Sequence, residues 1–190
     1  VVQRVGYPVL SSISEDPQRQ VRVYRKVVRV TVLLSSTLVF GLAACADAMV
    51  EVLIGAKWLG CVPYIRILAF SGVFLPLILS SVNVFNANGK SNITLLLEII
   101  KTALATIPVV LGIFFNIDIL LWGLAGVTAL SYLIHSYFVS KEIEYKTSKQ
   151  VLDIVPFILI SLIMAAVVYL VGFLEIKPLP LLMLQVVTGF

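Results

Sequence analysis

Residues 93–115, ITLLLEIIKTALATIPVVLGIFF, are apolar enough to cross a bilayer yet carry Glu98 and Lys101 among them. About 20 apolar residues span the hydrocarbon region as a helix, so this run of 23 suffices with some tilt. A charge at membrane depth costs at least about 2.5–3.5 kcal/mol on insertion scales, and such charges usually face a protein interior or an aqueous cavity. The run therefore demands a membrane-spanning helix and marks a candidate functional site on it.

Composition agrees. The chain is 60% hydrophobic and 13% charged, against about 25% charged in typical soluble domains. Its mean hydropathy is +1.07. An all-α integral membrane protein is expected, a multi-span bundle forming a single transmembrane region over residues 1–190. Four further full apolar stretches fall at about 27–46, 61–85, 119–139 and 151–174, and another begins near Leu179. Residues up to about Ser12 resemble the end of an earlier span. The missing initiator Met and the incomplete last run suggest a partial chain, and no cleavable signal peptide is evident.

Charge alternates from loop to loop. Ten of the 14 Lys and Arg, including Arg19, Arg22, Arg25, Lys26, Arg29, Lys90, Lys141, Lys146 and Lys149, fall on one side of a strict weave. Two fall on the other, and Arg66 and Lys101 lie inside apolar runs. The positive-inside rule puts the basic side in the cytoplasm. The net charge of +4 then follows from topology and favours contact with anionic membrane lipids. No nucleic-acid partner is expected, because no basic run is interleaved with stacking aromatics. Arg19, Arg22, Arg25 and Arg29 recur at helical spacing opposite Val21, Tyr24 and Val28. That pattern fits an amphipathic helix lying on headgroups, or equally plain topological charge anchoring the next span.

Three runs can each turn a polar stripe inward. At 100° per residue Thr94, Glu98, Lys101, Thr102 and Ala105 share a face, with Gly112 further along. Glu98 and Lys101 are i, i+3 neighbours able to pair, about 8 and about 12 Å in from the start of the run. The 61–85 run carries Arg66, with Ser80 and Ser81 nearby around the helix. The 119–139 run aligns Thr128, Ser131 and His135. Each stripe has a plain structural reading beside the functional one. Lys101 and Arg66 can snorkel to the surface, and a lone His near a helix end is commonly just satisfied there. Pro76 and Pro108 interrupt backbone hydrogen bonding and are hinge candidates. Cys45 and Cys61 fall near one surface, either as a pair able to form a disulfide or as two small apolar residues.

The mixed sign and many hydroxyls suit a solvated cavity for a large polar or anionic substrate. A transporter rather than an enzyme is expected, with no catalytic residues, no metal and no cofactor. One His, no Cys/His ligand spacing and no P-loop exclude an ATPase and argue less strongly against an intramembrane hydrolase.

Three segments carry a family resemblance. GYPVLSSISEDPQRQVRVYRK resembles the part of polysaccharide-exporting flippases where a helix end leads through Pro, Ser and an acidic patch into a basic stretch. IGAKWLGCVPYIRILAF is similar to their Gly-x-x-Trp loop, with Gly55 and Trp58. NVFNANGKSNITLLLEIIK is similar to their helix end, small-residue turn at Asn88 and Gly89, and Glu-bearing helix. The resemblance runs from about Gly6 to Val139. It points to the polysaccharide transporter branch of the multidrug/oligosaccharidyl-lipid/polysaccharide flippase superfamily.

The resemblance implies two pseudo-symmetric helical lobes around a central cavity. This chain would supply part of the second lobe plus extra C-terminal helices. The implied activity is translocation of undecaprenyl-diphosphate-linked oligosaccharide across a bacterial inner membrane by alternating access, for O-antigen or exopolysaccharide assembly. Other membrane proteins of polysaccharide assembly are implied partners. On this reading Arg66 and Lys101 attract the anionic headgroup, and Glu98 balances charge or binds a coupling cation. Ser80, Ser81, Thr102 and Ser131 would hydrogen-bond sugars, and His135 is a candidate cavity residue. The alternatives are a cation-coupled drug antiporter, a peptidoglycan-precursor flippase, and a non-transporting membrane scaffold.

Overall fold

Asp16 starts the first helix. Its carboxylate accepts the Arg19 N–H at 3.0 Å, and Pro17 occupies the first turn, where its missing donor costs nothing. Helix α1 (Pro17–Ala44) then continues without a break through the basic stretch into the apolar run. The computed structural model describes residues 16–172 and 178–189. The apolar start up to residue 12, together with Arg4, Glu15, Glu175 and Lys177, lies outside the described residues. After α1 come α2 (Ala46–Leu53), a 3-10 turn (Ala56–Cys61), α3 (Val62–Gly72), α4 (Leu75–Ala87), α5 (Ser91–Phe114), α6 (Ile117–Glu142), α7 (Thr147–Val171) and α8 (Pro178–Gly189). No strand occurs among the described residues, and five helical stretches are long and apolar enough to cross a membrane. The chain is an all-helical, multi-pass membrane protein.

The amphipathic face of the basic stretch is covered by protein. Tyr24 and Val28 are buried in the core, and Arg25 and Arg29 pair with Asp153 of α7. This stretch is the end of a span, not a separate helix lying flat on headgroups. Its apolar residues find α4 and α7 before they find lipid.

The run at 61–85 divides in two. Helix α3 ends at Gly72 and α4 begins at Leu75, so Pro76 sits in the first turn of α4. A proline there needs no N–H partner, which places the break just before it. Pro108, in contrast, lies inside a continuous α5, its ring buried against α6. Three of the described residues adopt left-handed backbone: Gly55 at φ +103° and Gly89 at φ +70°, where glycine bears no steric penalty, and Glu144 at φ +54°. Cys45 and Cys61 are free thiols.

Between helices in lipid there is little hydrophobic driving force, so close approach and buried hydroxyls hold the bundle. Helices α1 and α7 run parallel and form the most extensive contact, with Ser36 and Ser161 hydroxyls 2.7 Å apart midway. Helices α5 and α6 form an antiparallel hairpin in which Gly112 faces Leu120 and Gly123 faces Pro108. Helix α6 also touches α3, α4 and α7. The main core, built around Tyr24, Leu77, Phe85, Leu97, Tyr132 and Ile143, sits toward the basic end.

Candidate functional site

The polar stripe of α5 arises from helical spacing, and the fold leaves it open. Of the residues in α5 only Leu97 and Pro108 are buried. Lys101 Nζ lies 2.5 Å from Glu98 Oε2, with the two side chains 32% and 42% exposed. One turn on, the Thr102 hydroxyl donates to the Glu98 carbonyl at 2.8 Å, and Thr106 donates to Thr102 at 3.0 Å. Glu98, Ile99, Thr102, Ala103 and Thr106 line an open groove of about 410 Å³, with Lys101 held at its edge by the ion pair to Glu98. Thr94 donates to Asn86 Oδ1 at 3.2 Å and closes the basic end of the stripe.

His135 stands behind this groove on α6, fully buried. Its Nδ1–H donates to the Ser131 carbonyl at 2.8 Å, leaving Nε2 as the ring's other position. Neither that Nε2 nor the Ser131 Oγ has a hydrogen-bond partner among the described residues. The register of the α5–α6 hairpin, with Gly112 against Leu120 and Gly123 against Pro108, brings Ser131 and His135 level with Lys101 and Glu98. Glu98, Lys101, Thr102, Ser131 and His135 thus form one neighbourhood. Chemically it offers a compensated ion pair, exposed hydroxyls and two unsatisfied buried polar atoms at membrane depth.

The other residues singled out from sequence lie elsewhere. Ser80 donates to the Pro76 carbonyl (2.9 Å), and Ser81 bonds the Leu77 carbonyl (3.2 Å) and the Tyr24 hydroxyl (3.1 Å), all inside the core. Arg66 is at the opposite end of the bundle. It pairs with Asp47, donates to the Ala43 carbonyl at 3.3 Å, and lies 5.5 Å over the Tyr169 ring. The two intramembrane cations are therefore not brought together. Among the described residues no group of three or more His, Cys, Asp or Glu could hold a metal ion.

Two polar networks at the basic end had no counterpart in the sequence reading. In the first, Gln20 donates to Asn88 (2.6 Å), Asn88 donates to Glu142 (2.9 Å), and Lys90 donates to the same carboxylate (2.8 Å). This ties α1, the α4–α5 turn and the end of α6. In the second, Asp153 accepts from Arg25, Arg29 and the Tyr145 hydroxyl, while Gln150 bridges Ser136 and the Tyr145 carbonyl. Burial, then the hydrogen bond to Asp153, pushes the Tyr145 phenol above its usual pKa. The signal for the second network was Asp153 itself, an acid just inside an apolar run, facing arginines four residues apart.

Residues 1–63 match the family described as "Polysaccharide biosynthesis protein". Over 93 residues the chain is 26% identical to the teichuronic acid biosynthesis protein TuaB of Bacillus subtilis (strain 168). That similarity covers 49% of this chain and 19% of the relative. No solved structure matches the chain.

Proposed function

We propose that the chain belongs to the polysaccharide transporter family and forms part of a lipid-linked oligosaccharide flippase. The substrate class is an undecaprenyl-diphosphate-linked oligosaccharide, moved between the leaflets of a bacterial inner membrane by alternating access. The observation that supports this reading is the open stripe of Glu98, Lys101, Thr102 and Thr106 at membrane depth. An ion pair and hydroxyls in that position are costly against lipid and suit the wall of an aqueous cavity. In that wall Lys101 attracts the diphosphate, Glu98 holds Lys101 in place, and Thr102 and Thr106 meet sugar hydroxyls.

Ser131 and His135 stand as a second layer behind the pair. Arg66 has a different role here. Held by Asp47, Ala43 and Tyr169, it fastens the opposite end of the bundle and is not a headgroup ligand. A drug antiporter would want an aromatic-lined apolar pocket beside the acid. The groove at Glu98 is lined instead by Ile99, Ala103 and two threonines.

The test is complementation in the full-length protein, scored by surface polysaccharide. Lys101→Gln and Glu98→Gln should each lower export per molecule, with export normalised to the amount of protein in the membrane. Wild-type export from both would remove the site.

A further inference from the structure

Helix α7 lies mainly against α1 and only lightly against α6, and a groove runs between α6 and α7 in the basic half of the bundle. Its volume is about 200 Å³ and its lining is wholly apolar. Leu77 forms the floor, with Leu133 on one wall and Val151, Val155 and Ile158 on the other. Leu133 is 47% exposed and Val155 40%, so the groove opens sideways. Apolar space of this kind does not hold water. In a bilayer the contacts it offers are satisfied by a hydrocarbon chain.

The sequence of α6 supplies a polar end to the same line. Leu133, Tyr137 and Lys141 follow at i, i+4 and i+8, running from the groove to the basic surface over about 12 Å. Lys141 Nζ sits 4.6 Å from the Tyr137 ring centroid. Both side chains are exposed, and Lys141 makes no ion pair among the described residues. A tyrosine at the headgroup level with an unpaired ammonium beside it fits an anionic phosphate at the end of an apolar chain.

We propose that this groove is a binding site for one anionic phospholipid of the leaflet at the basic end. One acyl chain lies between α6 and α7, and the phosphate sits at Lys141 beside Tyr137. The site is separate from the α5 stripe and rests neither on transport nor on sugar binding.

The test is quenching of a tryptophan placed in the groove, Leu133→Trp, in the full-length protein reconstituted in phosphatidylcholine vesicles. The quencher is either dibrominated phosphatidylglycerol or dibrominated phosphatidylcholine. Emission from Trp58 and Trp122 is subtracted using protein without the reporter. Half-maximal quenching should need about fivefold less of the anionic lipid, the discrimination expected of one lysine at a membrane surface. Lys141→Gln should erase that preference while leaving quenching by the neutral lipid unchanged. Equal quenching by the two lipids, or a preference that survives Lys141→Gln, overturns the proposal. So does the absence of quenching in both arms, which means protein fills the groove. Val155→Trp on the facing wall serves as the reporter if Leu133→Trp does not reconstitute.

Discussion

Arg29 on α1 donates to Asp153 on α7 across 2.6 Å, joining residues 124 positions apart. Arg25 reaches the same carboxylate with a second donor at 2.6 Å, and the Asp153 side chain is only 10% exposed. Two half-exposed cations thus share one nearly buried anion. The arrangement fixes the parallel α1–α7 pair at its basic end, while the Ser36–Ser161 contact fixes it midway.

Removing that anion should loosen the pair. Asp153→Asn is expected to destabilise the folded protein by about 2 kcal/mol, because the charge-assisted bonds are replaced by weaker neutral ones. Arg25→Gln alone should cost less, since Arg29 and Tyr145 still satisfy the carboxylate. Thermal unfolding in detergent measures both. An Asp153→Asn protein that melts with the wild type would show that the clasp adds nothing.

The hairpin of α5 and α6 depends on close approach. A Cβ added to Gly123 would sit 2.3 Å from Pro108 Cβ, and one on Gly112 would sit 2.6 Å from Leu120 Cβ. Neither neighbour is the tip of a flexible chain, so the helices must part. Gly123→Ala is expected to cost about 1–3 kcal/mol. Gly126, three residues away, has nothing within 4 Å of its added Cβ, and Gly126→Ala should be tolerated. Comparing the two by detergent melting separates packing from helix propensity, which favours alanine in both.

At the stripe, a double substitution distinguishes a pair that serves the substrate from one that serves only itself. Either single neutralisation leaves a lone charge at membrane depth, at an expense of about 2.5–3.5 kcal/mol on insertion scales. Glu98→Gln with Lys101→Gln removes both charges and should restore membrane abundance. If Lys101 meets the diphosphate, export should stay low in the double variant. Export recovering together with abundance would leave the pair a structural role alone.

Tyr145 carries a pH signature. Its phenol has a raised pKa in the folded state, so folding favours the protonated form. The associated stability is complete below the unfolded value of about 10 and is lost as pH rises toward the folded value. Tyr145→Phe removes the titration. The variant should be less stable at neutral pH for want of the bond to Asp153, and should lose less stability than the wild type above about pH 10. Melting curves between neutral and alkaline pH would show the stabilities of the two proteins converge. Parallel slopes would rule the effect out.

The long apolar runs, their number and the side on which basic residues gather were all legible from local pattern, because a bilayer imposes length and hydropathy on each helix separately. The i, i+3 pairing of Glu98 and Lys101 was legible for the same reason, since both partners ride one helix. Pairings between helices were not. Nothing in the residues around Arg25 names Asp153 as its partner, and nothing around Arg66 shows that Asp47 and Tyr169 will claim it. Spacing placed Ser80 and Ser81 near Arg66 around the helix, but the run breaks between Gly72 and Leu75, just before Pro76, so the angular relation does not carry across. The open face of the Glu98 stripe had a similar fate. Periodicity could group its residues, yet which side of α5 packs against α6 depended on where Gly112 and Gly123 let the two backbones meet. Hydropathy and helical spacing act along the chain and can be read from it. Contact between helices depends on shape and charge matching between segments that can be more than a hundred residues apart, as Arg29 and Asp153 are, and those matches exist only once the bundle has formed.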